Sequence, residues 1–242
     1  MRVDRMQQDL ESSEFDEALE TYTKAIESNP DDGEAYFRRG LAWSEKGETE
    51  KAVADYTRAI EIDPDNAEVW YKRGVAFQEE GDPDAAVEDY SRAIELDSSN
   101  AKAYNNRGII WQRKGDHDRA IEDYTHAIEI DPEDPFAYNN RGLSWQDKGE
   151  FDRAMEDYTR AIELNPENPI PYNNRGFVWR VKADQLKDQA IEDFSKAIEL
   201  HPSFAIAYFN RGRTFQEKGD DFSASADFST AQQLDPDLGP RE

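Results

Sequence analysis

The chain contains no cysteine among its 242 residues, so its sequence predicts neither a disulfide framework nor a thiolate site. No run approaches the roughly 20 apolar residues that span a bilayer. The first six residues, Met1–Met6, lack the apolar stretch of a secretory signal. We therefore expect a protein without a membrane span that is located in the cytoplasm.

Basic side chains are scarce, since 29 Lys and Arg residues stand against 54 Asp and Glu residues and leave a formal net charge of −25. Binding to a polyanion requires clustered cations that release counterions. A surplus of carboxylates instead repels nucleic acid and anionic lipid. The composition therefore predicts no nucleic-acid partner and no membrane partner, and it indicates an acidic, self-repelling surface.

Groups of residues that could perform chemistry are also lacking. The three histidines, His117, His126 and His201, have no partner at the spacing of a metal site or an activated nucleophile. The segment Asp63–Asn66 begins like a calcium loop, but Ala67 stands where the third ligand is needed. We therefore expect no catalytic residue, no metal and no cofactor, and we predict that the protein is not an enzyme.

A repeated hexapeptide dominates what the sequence does contain. Ala103–Gly108 returns letter for letter as Ala137–Gly142, and with one change as Pro171–Gly176. Its glycine recurs at Gly40, Gly74, Gly108, Gly142, Gly176 and Gly212, in steps of 34, 34, 34, 34 and 36 residues. A fixed period of this size is typical of stacked repeats.

Each period reads as two helices joined by short turns. In residues 33–66, Tyr36, Gly40 and Trp43 follow the i, i+4, i+7 spacing of an amphipathic helix, and Gly47 interrupts it. A second apolar stripe follows from Ala52 to Ile60 and ends before a proline turn. The small residues allow close helix approach while the aromatic residues fill the space beside them. No segment shows strand alternation.

This pattern closely resembles the tetratricopeptide repeat family, with its 34-residue period and its aromatic, glycine, alanine and proline positions. The resemblance implies an all-α, right-handed superhelical solenoid of helix-turn-helix tetratricopeptide repeats. We predict an incomplete N-terminal repeat at 1–32 and a tail at 239–242. The six repeats between them are predicted at 33–66, 67–100, 101–134, 135–168, 169–204 and 205–238.

An arginine before each repeat glycine departs from the family pattern, which usually has leucine there. An aspartate precedes the second-helix aromatic residue in the same six repeats, for example Asp157 before Tyr158. Antiparallel hairpin helices bring the two positions together, so we predict a repeated structural ion pair. We expect each pair to be partly exposed and worth about 0–1 kcal/mol.

Three irregularities interrupt the repeat. Residues 1–32 offer a good second helix behind a poor first one, in which Val3, Met6 and Leu10 form a weak apolar stripe. The fifth repeat has two extra residues, which predict a longer and more basic loop at Arg180–Asp188. In the last helix, Ser225 and Gln232 replace aliphatic residues that would face a following repeat, as terminal repeats require.

By resemblance, the first helices line a concave groove through positions six, three and two before each glycine and one, four and five after it. The formal charges at these positions cancel, unlike those of the whole chain. We predict that peptide-binding residues include Lys72, Lys102, Asn105, Asn106, Arg113, Phe136, Asn139, Asn140, Asn173, Asn174, Phe177 and Asn210.

The asparagines admit two interpretations. Asparagine is a poor choice for a helix interior, and its amide donates and accepts at once, as a peptide backbone requires. In superhelical family members the matching position clamps an extended peptide. Alternatively, these asparagines bond the helix of the neighbouring repeat. The lysine–asparagine–arginine set of a carboxylate clamp is incomplete here, so we do not expect a clamp for a C-terminal carboxylate.

The favoured function is a non-catalytic protein–protein interaction scaffold that binds an extended peptide or a partner helix in the concave groove. A self-associating module, with the N-terminal repeat stacking on a second copy as a homo-oligomer, is the first alternative. A recognition arm of a larger enzyme is the second alternative.

Overall fold

The computed structural model describes residues 2–238, with side chains from residue 14 onward. The described residues form thirteen α-helices, one short 3₁₀ helix and no strand. The helices are α1 (Arg2–Ser28), α2 (Gly33–Glu45), α3 (Thr49–Ile62), α4 (Ala67–Glu80), α5 (Pro83–Leu96), α6 (Ala101–Arg113), α7 (His117–Ile130), α8 (Pro135–Asp147), α9 (Phe151–Leu164), α10 (Pro169–Lys182), α11 (Lys187–Leu200), α12 (Ala205–Glu217) and α13 (Asp221–Leu234). The even-numbered helices are the predicted first helices, and the odd-numbered ones are the second helices.

Two compact units divide the chain, one ending at Ile110 and the other beginning at Trp111. In the first unit, α2 packs against α3 and α4 against α5, and α3 contacts α4. In the second unit the hairpins are α8–α9, α10–α11 and α12–α13, and each contacts the next in chain order. Each unit is thus an all-helical stack of hairpins, as the repeat period predicts.

The core of each hairpin joins a glycine to an aromatic ring. A methyl group added at Gly142 would lie 2.8 Å from Cε1 of Tyr158. Tyr158 itself is fully buried, as are Tyr56, Tyr90, Tyr124 and Phe194. The first helix therefore contacts the ring of the second at a distance that leaves no room for a side chain.

The turns between the two helices rely on glycine for a different reason. Gly47, Gly81, Gly115, Gly149 and Gly219 all adopt positive φ, between 73° and 83°. This left-handed conformation ends the first helix at little cost only for glycine. Aspartates such as Asp82 and Asp116 then cap the second helix by accepting a backbone N–H.

At the N-terminus the structure differs from the expectation of two helices. Residues 2–28 form one uninterrupted helix. Ser13 stands where five of the six other repeats have a turn glycine, so nothing favours the left-handed conformation that breaks the chain in those repeats. The predicted stripe of Val3, Met6 and Leu10 lies outside the residues whose side chains are described, and so does the predicted tail at 239–242.

Two extra residues in the fifth repeat are accommodated by a 3₁₀ turn, Asp184–Leu186, between α10 and α11. Lys187 follows it and is 9% exposed. Its Nζ lies 2.8 Å from the Asp184 carboxylate and 3.5 Å from that of Glu217 on α12. The basic charge of this loop is therefore largely neutralised by neighbouring carboxylates.

Candidate functional site

The arginine of the first helix α8 connects three helices. Arg141 of α8 donates from Nε and Nη2 to both carboxylate oxygens of Asp157, each at 2.8 Å. Its Nη1 donates to Oγ1 of Thr125 on the preceding second helix, at 3.2 Å. The bidentate geometry uses the planar guanidinium fully. Arg141 thus joins its own hairpin to the one before it.

The same arrangement recurs through the described repeats, and we call it the arginine relay. Besides that of Arg141, the complete relays are Arg39–Asp55–Thr23, Arg73–Asp89–Thr57, Arg175–Asp193–Thr159 and Arg211–Asp227–Ser195. Arg107 likewise donates to Ser91 at 2.9 Å.

The ion pair was predicted as partly exposed, and the arginine is so, but the aspartate is buried. The Asp157 side chain is 7% exposed and that of Arg141 is 19% exposed. Burial removes the solvent screening that makes surface pairs weak, so removing one partner leaves an uncompensated buried charge. The hydroxyl partner was not predicted, although every relay has Ser or Thr at that position.

The asparagines of the first helices form a second link between repeats. Asn174 of α10 donates to Oδ1 of Asn139 on α8 at 3.1 Å, and Asn210 of α12 donates to Oδ1 of Asn173 at 3.0 Å. In the first unit, Asn106 donates to the Tyr71 hydroxyl at 3.4 Å. In each case the residue two positions before one repeat glycine donates to the residue three positions before the preceding repeat glycine. We call this series of bonds the asparagine ladder.

These contacts bear on the two interpretations of asparagine. Bonding to the neighbouring repeat occurs in the structure, as the alternative interpretation required. Asn173 and Asn210 are 8% exposed, whereas Asn139 and Asn174 are half-buried. Asn105 and Asn140 are also half-buried and are not free of contacts. An amide has two N–H donors and an oxygen with two lone pairs, so one ladder bond does not saturate it.

The other predicted binding residues fall on first helices in both units. Lys72 and Lys102 lie in the first unit, half-buried and exposed respectively, and Arg113 is exposed in the second. Phe136 begins α8 and is 57% exposed. Phe177 on α10 is half-buried beneath Arg180, whose Cζ lies 5.3 Å from the ring centre. The exposed apolar side chains Ile170 and Val181, also on α10, were not among the predicted binding residues.

Arg180, at a position predicted to line the groove, is paired and buried in the structure. Its side chain is 8% exposed, and its Nη1 lies 2.8 Å from Oε1 of Glu217. Because Glu217 also neutralises Lys187, these three side chains tie α10, α11 and α12 together. The charge that Arg180 presents to a ligand is therefore small.

Buried tyrosine hydroxyls bond glutamines at positions that the sequence predicted to line a groove. Tyr90, Tyr124 and Tyr158 donate to the side-chain oxygens of Gln78, Gln112 and Gln146, at distances of 3.1, 2.9 and 3.0 Å. Burial raises the pKa of each tyrosine and raises that of Tyr56 to about 12. The constant spacing of twelve residues from each glutamine to its tyrosine is the feature of the sequence that could have indicated this hydrogen bond.

Features of a metal centre or a membrane span do not occur in the part of the chain that the structure describes. No group of three or more His, Asp or Glu side chains there could hold a metal ion. His117 approaches Asp147 at 3.8 Å without further ligands. None of the described helices is both long and apolar enough to cross a bilayer.

Stacked hairpins with a 34-residue period define the chain as a helical repeat protein. Family models confirm which kind: "TPR repeat" matches residues 8–47, 44–81 and 188–219, and two models of the "Tetratricopeptide repeat" match residues 71–135 and 135–168. The chain belongs to the tetratricopeptide repeat family. Proteins of this fold are in general protein–protein interaction scaffolds and are typically non-catalytic.

Solved structures share the fold. MamA is 29% identical over 69% of this chain and 96% of its own, with a TM-score of 0.64. PilF from Pseudomonas aeruginosa is 24% identical over 84% of this chain and 92% of its own, with a TM-score of 0.72. YrrB, described as a TPR protein with an unusual peptide-binding site, is 24% identical over 78% of this chain and 96% of its own, with a TM-score of 0.69. A comparison with curated protein sequences found no match.

Proposed function

We propose that the protein is a scaffold that binds an extended peptide along the first helices of its second unit, centred on α8 and α10. The observation that carries this proposal is a pairing of apolar and amide side chains on each helix. Phe136 and Asn139 lie three residues apart on α8, and Ile170 and Asn174 lie four apart on α10. Such spacings place two side chains on one helix face.

Packing does not account for the exposed apolar member of each pair. Phe136 is 57% exposed and Ile170 is 46% exposed. The same repeat position holds Glu34 and Glu68 in the first unit, so it tolerates a fully solvated side chain. Large apolar groups kept in water on one surface are typical of a binding site.

The asparagine of such a pair can bond a peptide while it keeps its hydrogen bond to the neighbouring repeat. Oδ1 of Asn139 accepts the bond from Asn174, while its Nδ2 makes no hydrogen bond to any other described residue. That amide can therefore donate to a peptide carbonyl while the ladder stays intact. The half-buried position of Asn139 leaves it accessible from the helix surface.

The ligand that fits is an extended segment with aliphatic or aromatic side chains and little net charge. Arg180 and Glu217 neutralise each other, so the site offers no strong charge of either sign. YrrB, a repeat protein of the same fold that is described as having an unusual peptide-binding site, is consistent with this use of the fold.

The proposal is tested by selecting ligands from a phage-displayed peptide library on the full chain and measuring their affinities for two variants. Asn139→Asp retains the oxygen that Asn174 needs but removes the N–H donors, and we expect roughly ten-fold weaker binding. The double variant Phe136→Ala/Ile170→Ala should weaken binding at least as much.

Matched controls separate this site from general effects of charge and hydrophobicity. Asn165→Asp adds the same charge at a turn residue whose oxygen also accepts a hydrogen bond, and Phe222→Ala removes a ring from another helix that is more exposed than that of Phe136. Ligands that respond to the controls as strongly as to the α8 and α10 variants would refute the proposed site.

A further inference from the structure

Three glutamines, each four residues after a repeat glycine, accept a hydrogen bond from a buried tyrosine of their own hairpin. Two of these pairs lie in the second unit. The hydroxyl of Tyr158 donates to Oε1 of Gln146 at 3.0 Å, and that of Tyr124 donates to Oε1 of Gln112 at 2.9 Å. Both tyrosines are fully buried, whereas both glutamines are half-buried on first helices. The core of each hairpin is thus connected to an amide at its surface.

The tyrosine decides which end of the amide faces outward. Burial raises the pKa of Tyr158, so its hydroxyl keeps its proton at neutral pH. A buried O–H without an acceptor is costly, and the hydroxyl has no other partner among the described residues. Only the oxygen of the glutamine amide can accept that proton. The oxygen of Gln146 therefore points towards Tyr158, and its NH₂ group points away from the tyrosine.

The NH₂ group of Gln146 is available to a ligand. Its Nε2 makes no hydrogen bond to another described residue, and it is not buried, so it is in contact with water. Nε2 of Gln112 shares both properties. Each of these amides therefore offers N–H donors whose direction is set by the tyrosine behind it.

Hairpins without a tyrosine show what the hydroxyl contributes. In the last hairpin, Phe228 replaces the tyrosine, and the side chain of Gln216 makes no hydrogen bond to another described residue. Gln216 is exposed, whereas the glutamines held by tyrosine are half-buried. In the α10–α11 hairpin the ring is Phe194, and the glutamine position holds Arg180, which pairs with Glu217 instead. The half-buried, oriented glutamine thus occurs together with the hydroxyl.

Gln146 lies on the same helix face as Asn139, the amide of the proposed peptide site. The two residues are seven apart on α8, a spacing that repeats one face of a helix. In both, the oxygen accepts a hydrogen bond from within the protein, from Asn174 and Tyr158 respectively. This face of α8 therefore presents N–H donors at two levels, roughly 10 Å apart at 1.5 Å per residue.

We propose that Gln146 binds the same peptide as Asn139 by donating to a backbone carbonyl oxygen, and that Tyr158 is a positioning residue that keeps this amide turned as a donor. The inference rests on the proposed peptide site and adds a second level of contact to it. A ligand donor would find no lone pair at Nε2, so the ligand must offer an acceptor. Every peptide group carries one, so these amides select an extended backbone and leave the choice of side chains to Phe136 and Ile170.

The experiment uses the full chain and the peptides selected on it by phage display. Gln146→Glu keeps the oxygen that Tyr158 needs but removes the NH₂ group, so binding should weaken roughly ten-fold. Tyr158→Phe should weaken binding about three-fold, because the amide is no longer held in one orientation. The buried ring of Phe194 shows that the core accepts phenylalanine at this position.

A double-mutant cycle separates positioning from a general effect on the fold. In a Gln146→Ala background, Tyr158→Phe should change the affinity no further, because the residue through which it acts is gone. A tyrosine that only stabilises the hairpin would weaken binding equally in both backgrounds, and that result would overturn the positioning role. Circular dichroism melting of each variant checks its fold.

The matched control for charge is Gln189→Glu, which changes an exposed glutamine of α11 outside the proposed site and should leave the affinity unchanged. Equal losses for Gln189→Glu and Gln146→Glu would overturn the inference. Weaker binding by Asn139→Asp with unchanged binding by Gln146→Glu would overturn it too, while the proposed site would stand. Ligands that respond to neither Asn139→Asp nor Gln146→Glu would overturn both.

Discussion

Arg141 satisfies a buried carboxylate and a hydroxyl from two different helices at once, and the cost of losing it follows from that geometry. We expect Arg141→Met to lower the free energy of unfolding by about 3–5 kcal/mol, since it leaves the charge of Asp157 buried without a partner. Urea unfolding followed by circular dichroism measures the change. Arg160→Met, which breaks an exposed pair with Glu163, should have little effect. Equal effects of the two variants would show that burial does not matter.

Ser144 illustrates the opposite case, a buried hydroxyl that the fold does not need. It is fully buried, and its Oγ has no hydrogen-bond partner among the described residues. Ala42 and Ala76 occupy the same repeat position in the first unit. We expect Ser144→Ala to stabilise the protein by about 1 kcal/mol, because it removes a desolvated polar group without opening a large cavity.

The control for Ser144 is Thr214, at the same position of the last repeat. Its Oγ1 donates to the Asn210 carbonyl at 2.8 Å, so Thr214→Ala should destabilise the protein in the same urea titration. A loss of stability in Ser144→Ala would show that the hydroxyl does have a partner in solution.

The periodic sequence predicted one bond of each arginine and missed the others. The Arg–Asp pair lies within one hairpin, so helical geometry alone brings it together. The third partner, such as Thr125, belongs to the preceding repeat, and its position depends on how hairpins pack. Bonding between asparagines of neighbouring repeats was left as an alternative, and the partner of each asparagine could not be predicted, since Asn174 and Asn139 are 35 residues apart. The sequence therefore indicated which residues were unusual, but not what they touch.

At the scale of the helices, the contact of glycine with an aromatic ring controls how closely a hairpin can close. Gly142→Ala should gain about 1 kcal/mol of helix propensity. However, its methyl group would lie 2.8 Å from the Tyr158 ring and 3.2 Å from Cβ of Asp157. We expect overpacking to dominate, with a net loss of about 1–3 kcal/mol measured by thermal unfolding. A variant more stable than the wild type would contradict this close approach.

Helix number and type were predictable from the apolar spacing, whereas the N-terminal helix was not. In five repeats the break between the two helices falls at a glycine with positive φ, and Ser13 at the matching position is not glycine. The apolar stripe alone could not show that α1 continues from Arg2 to Ser28. The lack of a turn glycine at position 13 therefore accounts for the single helix.

At the scale of the whole molecule, the buried tyrosines predict a steep alkaline limit to stability. Their pKa values are raised in the folded state, to about 12 for Tyr56, while an unfolded tyrosine titrates near 10. Above about pH 10 the unfolded chain therefore binds fewer protons than the folded one, and stability falls as pH rises. Below pH 10 these groups contribute no pH dependence.

Urea midpoints measured from about pH 9 to pH 12 check this prediction, with stability expected to fall by about 1.4 kcal/mol per pH unit for each tyrosine involved. Tyr56→Phe should flatten the slope by one such increment, and phenylalanine already fills this position in Phe194. An unchanged slope in the variant would contradict the assignment to Tyr56.

The arginine relay also follows the order in which the chain is synthesised. Each arginine reaches backward to a hydroxyl that lies 16 residues earlier in the chain, so Thr125 leaves the ribosome before Arg141 does. A newly made first helix therefore follows an acceptor that has already been synthesised, and its own aspartate is synthesised next to complete the bond. During synthesis each hairpin can settle on its predecessor in turn. Folding can therefore begin before the C-terminal repeats have been synthesised.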